Sequence, residues 1–424
     1  MADNIQARAK GRARARVECR EILVAGNIRL WRMCWGRTPT RCCSSNIAAG
    51  ETMALCIYPG TVAQAPLARA CILKAASQPR LVGGMCLFLR GMARWLAIRF
   101  SAPGDVVMTL PVLWSVARRY ADDEIVLLSR GWVEPLMGWM PGNVVLRAVD
   151  LDAYRGVWGL WRLARELRRE GYDGVADLHG VLRSRVLGVF FRLWGVPVET
   201  IDKGRRSRRL LVSGRRRVAL ASQEERFGAV FGLLGRPAEL SFVSLFEGES
   251  RRVAGGGLRV GVAPFARHAG KVYPLEAMER VVEGLSERGA RVWLFGWGER
   301  ERGVCESWES RYAGVVSTVG RLGGLGAEVE LMAGLDVMLT MDSANMHLAA
   351  VAGTRTVTVW GATHRLAGFA GWRQAGSRDV EMELDCRPCS IFGSKKCRNA
   401  VEMACMRGIA AERIVEVVVA TAKE

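Results

Sequence analysis

The chain has 424 residues, 50% hydrophobic and 24% charged, a globular composition that argues against a fibrous or wholly disordered protein and leaves room for two or three domains. The most apolar early stretch, 81–100, is broken by Arg90, Arg94 and Arg99, so no integral membrane segment is predicted. The formal net charge of +19 is uneven: residues 1–91 hold 14 Lys/Arg against 4 Asp/Glu, together with seven of the 12 cysteines.

Those first 91 residues sustain no apolar periodicity. They read as a disordered extension or as a start codon set too far upstream, with an Arg-rich transit peptide as the alternative. From Met92 the pattern changes. Trp95–Phe100 reads as a buried strand, Val106–Tyr120 as a helix and Ile125–Ser129 as a strand. Leu160–Glu170 is helical, Gly174–Leu178 strand-like and Leu182–Trp194 helical. A charged stretch over 203–217 reads as irregular. The composition turns to Gly, Ser, Glu and Arg over 247–257, where a linker is expected. The alternation then restarts: strand Leu258–Ala263, helix Leu275–Arg288, strand Arg291–Phe295, helix Val329–Ala333, strand Val337–Thr340, helix Asn345–Val351, strand Thr356–Trp360 and a terminal helix Ile409–Ala422. Strands alternating with helices imply parallel sheets. The expected fold is α/β, with two facing doubly wound domains over 92–250 and 251–424. Open sheets of this kind bind ligands at the carboxyl ends of their strands.

Three strand-end loops carry chemistry. In the first, RFSAPGDVVMTLP over 99–111, a strand ends, Gly104 permits a turn and Asp105 falls at a helix start. Asp105 reads either as a helix cap or as a general base facing the cleft. The second, GVAPFARHAGKVYP over 261–274, places Arg267 and Lys271 where a phosphate meets a helix N-terminus, without the spacing of a Walker A loop. His268 there reads equally as a phosphate contact or a surface residue. The third, TMDSANMHLAA over 340–350, runs from a strand into Asp342 and a helix whose first amides, at Ser343, Ala344 and Asn345, suit a pyrophosphate. Asp342 also reads as a cap, and His347 as a core histidine. All four histidines, His179, His268, His347 and His364, fall in or beside strand-end loops.

The motifs GDVVMTLP from Gly104, DLHGVLRS from Asp177, KVYP from Lys271 and DSANMHLA from Asp342, in this order and spacing, resemble glycosyltransferase family 9, the ADP-heptose:lipopolysaccharide heptosyltransferases. The resemblance covers about 92–420. It implies a GT-B fold of two facing Rossmann-like domains, an acceptor domain followed by a nucleotide-sugar domain, and a cytoplasmic enzyme, peripheral on the inner face of the inner membrane. It implies an inverting, metal-independent glycosyltransferase of lipopolysaccharide biosynthesis that needs no cofactor beyond its donor, ADP-heptose or another nucleotide sugar. Asp105 falls at the family's catalytic base and Lys271 at its phosphate-binding lysine. Asp342, Ser343, Ala344, Asn345 and His347 match its pyrophosphate loop, and Glu299 lies near the acidic residue that meets the ribose. His179, Arg183 and Lys203 are assigned to a lipid A-core type acceptor. Ala344-Asn345 departs from the family's usual Gly-Pro or Gly-Leu.

Two other readings differ in class. A dinucleotide-dependent oxidoreductase would use similar domains, but no Gly-x-Gly-x-x-Gly follows either first strand. A non-catalytic basic binding protein would explain the charge alone. Nucleic acid is not expected as a partner, because few aromatics interleave with the basic run 203–217. Cys386, Cys389, Cys397 and Cys405 leave three states open: a structural zinc held by four thiolates, free or redox-sensitive thiols, or two disulfides.

Overall fold

The computed structural model describes residues 92–247, 249, 251, 256–372 and 376–423, together with the backbone of three short strands nearer the start. The chain divides into two compact units, residues 1–86 and 87–424. In the first, Glu18–Ile22 pairs antiparallel with Trp31–Trp35, which pairs parallel with Cys56–Ile57. Apart from those strands, the expectation for residues 1–91 lies outside the described residues.

The second unit holds two fully parallel sheets. The first contains β1 (Arg94–Ile98), β2 (Glu124–Ser129), β3 (Val144–Ala148), β4 (Gly174–Asp177) and β5 (Val198–Thr200), in the order β3-β2-β1-β4-β5. The second contains β6 (Arg259–Ala263), β7 (Arg291–Leu294), β8 (Val315–Ser317), β9 (Val337–Met341), β10 (Thr356–Trp360) and β11 (Arg378–Glu381), in the order β8-β7-β6-β9-β10-β11. Both orders reverse direction beside the first strand of the sheet, so each sheet has a switch point between two diverging loops. The two doubly wound sheets expected from the sequence are both present. Their central strands are buried on both faces, which is why they read as apolar runs rather than alternating ones.

Local differences from the sequence reading have identifiable causes. The single helix expected over Val106–Tyr120 is two, Pro103–Val107 and Leu110–Arg119. Pro111 has no N–H to donate to Val107 and its ring crowds that carbonyl, so the first helix ends there. The stretch expected to be irregular contains a helix, Arg205–Val212, which buries Arg208 and Leu211 at i, i+3 spacing. A helix over Gln223–Leu233 starts with a capping box, in which Ser222 Oγ accepts from the Glu225 N–H and Glu225 accepts from the Ser222 N–H.

The two sheets share an apolar interface. Val106, Val107, Leu110 and Leu113 lie in one buried cluster with Leu348, Ala349 and Val351. Segment 241–246 crosses onto the second half before the expected linker. The Leu245 N–H donates to Val351 O at 2.8 Å, and Trp372 Nε1 donates to Phe242 O at 3.0 Å. The linker itself, 247–257, lies partly outside the described residues.

Candidate functional site

The switch-point loops of both sheets face each other. In the first sheet these are the loops after β1, carrying Arg99 and Asp105, and after β4, carrying His179. In the second they follow β6, carrying Arg267 to Lys271, and β9, carrying Asp342 and Ser343. They meet at Gly104: a Cβ there would stand 2.9 Å from His347 Cδ2 and 3.3 Å from Ala344 Cα. The missing side chain lets the helix that carries Asp105 touch the helix that begins at Ala344.

Asp105 is not the N-cap residue, which is Ala102, but the third residue of its helix. Its Oδ2 accepts from the Ala102 N–H at 3.2 Å and from Arg99 Nη2 at 2.7 Å. Its Oδ1 has no protein partner among the described residues, and the side chain is 28% exposed. One carboxylate oxygen is thus fixed and the other is open. Arg99 is buried, donates Nη1 to Leu178 O at 2.7 Å, and so ties the β1 and β4 loops together. Burial lowers its pKa, against the opposing pull of Asp105 and Asp177.

Asp177 is fully buried at the end of β4, where its Oδ1 accepts from the N–H groups of His179 and Gly180 at 3.0 and 2.8 Å. This turn holds the His179 ring edge-on to Phe100. Burial, then Arg99 and Lys203, push the His179 pKa down to about 4, so the ring is neutral near pH 7. Lys203 lies against Gly180 and titrates low for the same kinds of reason: burial first, then Arg99 and Arg205. Arg183 is exposed in the first turn of the helix Leu182–Leu193. Arg208, buried over the Phe369 ring and bonded to Gln223 Oε1 at 3.0 Å, has its pKa pulled down to about 10, chiefly by burial.

In the second half Lys271 Nζ pairs with Asp342 Oδ2 at 2.8 Å, with both side chains largely buried. Asp342 is therefore a partner of the lysine, and the N-cap position belongs to Ser343, whose side chain makes no capping bond. The first amides of the Ala344–Ala352 helix carry no side-chain cap. His347 is buried one turn in, and burial drives its pKa down to about 4 although Asp342 and Asp105 both act to raise it. Its Nδ1 has no partner among the described residues. Arg267 is exposed and His268 half-buried. Glu299 is exposed and pairs with Arg302 at 3.3 Å rather than with a group of the site. Two residues further, Glu301 is half-buried and accepts from the Trp297 N–H at 2.6 Å, and burial raises its pKa.

The cysteine segment covers the loop that carries Lys271. Gly393, at φ +71°, leaves room for Lys271, whose Cγ would stand 2.7 Å from a Cβ there, and the Gly270 N–H donates to Gly393 O. Cys386, Cys389, Cys397 and Cys405 line one small cavity and are free thiols. Burial pushes the thiols of Cys389 and Cys405 up, and the neighbouring cysteines of the cluster add to the shift. Among the described residues no group of three or more His, Cys, Asp or Glu side chains is arranged to hold a metal ion.

Sequence pattern alone does not single out Arg99, Asp177 and Arg208 as site residues. Arg99 and Asp177 carry a signal: each opens a strand-end motif, a charged residue at the end of a buried strand.

The family model described as glycosyltransferase family 9 (heptosyltransferase) matches residues 160–389, just over half of the chain. Comparison with curated protein sequences gives no significant match. Among solved structures, a family 9 glycosyl transferase from Veillonella parvula aligns at TM-score 0.58 and 15% identity, covering 78% of this chain and 97% of its own. The ADP-heptose lps heptosyltransferase II of E. coli aligns at 0.56 and 18%, covering 78% and 98%. The E. coli heptosyltransferase WaaC, solved with ADP, aligns at 0.51 and 15%, covering 78% and 98%. At these identities the likeness bears on the fold, which is that of the GT-B heptosyltransferases. Among the described residues no helix is long and apolar enough to cross a membrane.

Proposed function

The chain belongs to glycosyltransferase family 9 (heptosyltransferase), and from that premise we propose that it moves a heptose or related sugar from ADP-heptose or another nucleoside-diphosphate sugar to a lipopolysaccharide core precursor. The reaction inverts the anomeric carbon and runs without a metal ion, at the cytoplasmic face of the inner membrane. The observation that carries this reading is the contact of Gly104 with His347 and Ala344. It sets Asp105, one residue on, beside the uncapped helix that begins at Ala344.

The open oxygen of Asp105 takes the proton of the acceptor hydroxyl as that oxygen attacks the anomeric carbon. The bond from the anomeric carbon to the diphosphate breaks, and its electron pair stays on the departing phosphate oxygen. Lys271, Arg267 and the helix amides from Ser343 to Asn345 meet that charge with preorganised donors, the part a divalent cation plays in other transferases. Asp342 holds Lys271 in place through their 2.8 Å ion pair. His347 stays uncharged at neutral pH and offers a hydrogen bond without adding a cation. His179, Arg183 and Lys203 line the acceptor side, where anionic groups of a lipid acceptor would meet Lys203 and Arg183. Glu299 remains the candidate for the ribose.

The test is a panel of nucleotide sugars, read first as ligand-induced stabilisation and then as transfer to a deacylated core acceptor. ADP-heptose should raise the unfolding midpoint where NAD and RNA do not, and the product should carry the inverted linkage. Stabilisation by NAD alone, or retention of configuration, would overturn the reading.

A further inference from the structure

We propose that the rim of the acceptor site, formed by the N-terminal ends of two neighbouring helices, is a docking surface for an anionic lipid bilayer. The helices Gly156–Glu170 and Leu182–Leu193 pack side by side on one face of the first sheet. Leu160, Leu163, Ala164 and Leu167 of the one share a buried cluster with Leu187 and Phe191 of the other. Each helix returns against the direction of its parallel strands, so both begin at the carboxyl end of the sheet, the end that holds Asp105 and His179. That Arg168 lies over the Trp194 ring, near the far end of both helices, agrees with their running in the same direction.

At the starting end, large apolar side chains stand in solvent. Trp158 is 81% exposed, Leu182 80% and Val157 61%. Trp161 packs edge-on against Trp158 at 6.3 Å and carries Arg165 over its ring. Isolated exposed apolar residues are ordinary, but a tryptophan pair grouped with Val157 at the mouth of a site is a patch. The charge around it has one sign in excess: residues 155–217 contain 16 Lys/Arg and 6 Asp/Glu. Exposed Arg155, Arg162, Arg183 and Arg185 flank the apolar group, and Asp152 beside it is paired with Arg155. Tryptophan at headgroup depth and arginine at anionic headgroups are the two elements of interfacial binding, and a patch of this kind lies in the surface without a spanning segment. The loop 178–181 that carries His179 runs directly into Leu182. A bilayer on the rim would therefore present a lipid-borne hydroxyl at the mouth that leads to Asp105.

The inference rests on the proposed lipid acceptor, and its test keeps the two apart. The full chain is floated with phosphatidylcholine vesicles, with and without about a quarter phosphatidylglycerol, and its affinity for ADP-heptose is measured separately. The parent should bind the anionic vesicles and release them in about 0.5 M salt. The pair Trp158→Ser, Leu182→Ser should bind roughly tenfold more weakly, with an unchanged unfolding midpoint and unchanged ADP-heptose affinity. Vesicle binding without ADP-heptose binding would leave the surface standing and remove the heptosyl donor. The surface itself is refuted if the parent ignores anionic vesicles or the double variant floats like the parent. It is equally refuted if the double substitution instead breaks a dimer in sedimentation, or abolishes binding to a single-stranded RNA oligomer that competes with the vesicles.

Discussion

Lys271 performs two tasks in this account, and a double substitution separates them. Its Nζ sits 2.8 Å from Asp342 Oδ2, with side-chain exposures of 16% and 5%. Lys271→Ala should leave a buried carboxylate without its cation, which costs about 3 kcal/mol of stability in pairs of this kind. The substitution also removes a charge-assisted contact to the donor diphosphate, worth about 1.5–3 kcal/mol, or roughly 10- to 150-fold in affinity. Adding Asp342→Asn neutralises the stranded carboxylate. Urea unfolding should then show the double variant recovering most of the lost stability, while nucleotide-sugar titration shows affinity still weak. If Lys271→Ala binds the donor like the parent, Lys271 is not a donor ligand. If the double variant is as unstable as the single one, the ion pair is not what Asp342 requires.

Other outcomes follow from the same geometry. Gly104→Ala places a methyl 2.9 Å from His347 and 3.3 Å from Ala344 Cα, so the halves must part slightly; unfolding should show a loss of about 1–3 kcal/mol, with turnover falling more than donor affinity. His179 and His347 both titrate near 4 in the fold against 6.5 in the unfolded chain. The unfolded state therefore binds more protons between those values, and stability should fall as pH drops from about 6.5 toward 4, by about 2 kcal/mol per histidine at pH 5. Urea midpoints at pH 7 and pH 5 check this, with His179→Asn and His347→Asn each flattening the dependence. Unchanged slopes in both variants would remove the histidines as its source.

The sheets were legible because their central strands are buried on both faces and read as apolar runs punctuated by Gly, Asp and Ser. The candidate site was legible where it lies in a strand-end loop, as with Lys271, Asp342, His347 and Asp105. What could not be read was how these groups pair. Nothing in the spacing says that Asp342 meets Lys271 across 71 positions, or that Arg99 turns back on Asp105 while bracing the β4 loop. The helix Arg205–Val212 was hidden by composition: its surface arginines outweigh the two buried positions, and Arg208 buries through its stem over Phe369. The second start at Leu110 was concealed by apolar periodicity that continues across a proline.

Asp105 is the proposed base, and its substitution tests that role. Asp105→Asn keeps an oxygen for the Ala102 N–H but leaves buried Arg99 without its charged partner, so the variant should lose about 1–3 kcal/mol of stability and still fold. The decisive measurement is single-turnover sugar transfer by the Asp105→Asn chain at saturating donor, with donor affinity measured alongside. The rate should fall roughly 10²–10⁴-fold while the dissociation constant for the donor stays within a small factor of the parent's. A folded Asp105→Asn chain that transfers sugar at close to the parental rate would contradict the account.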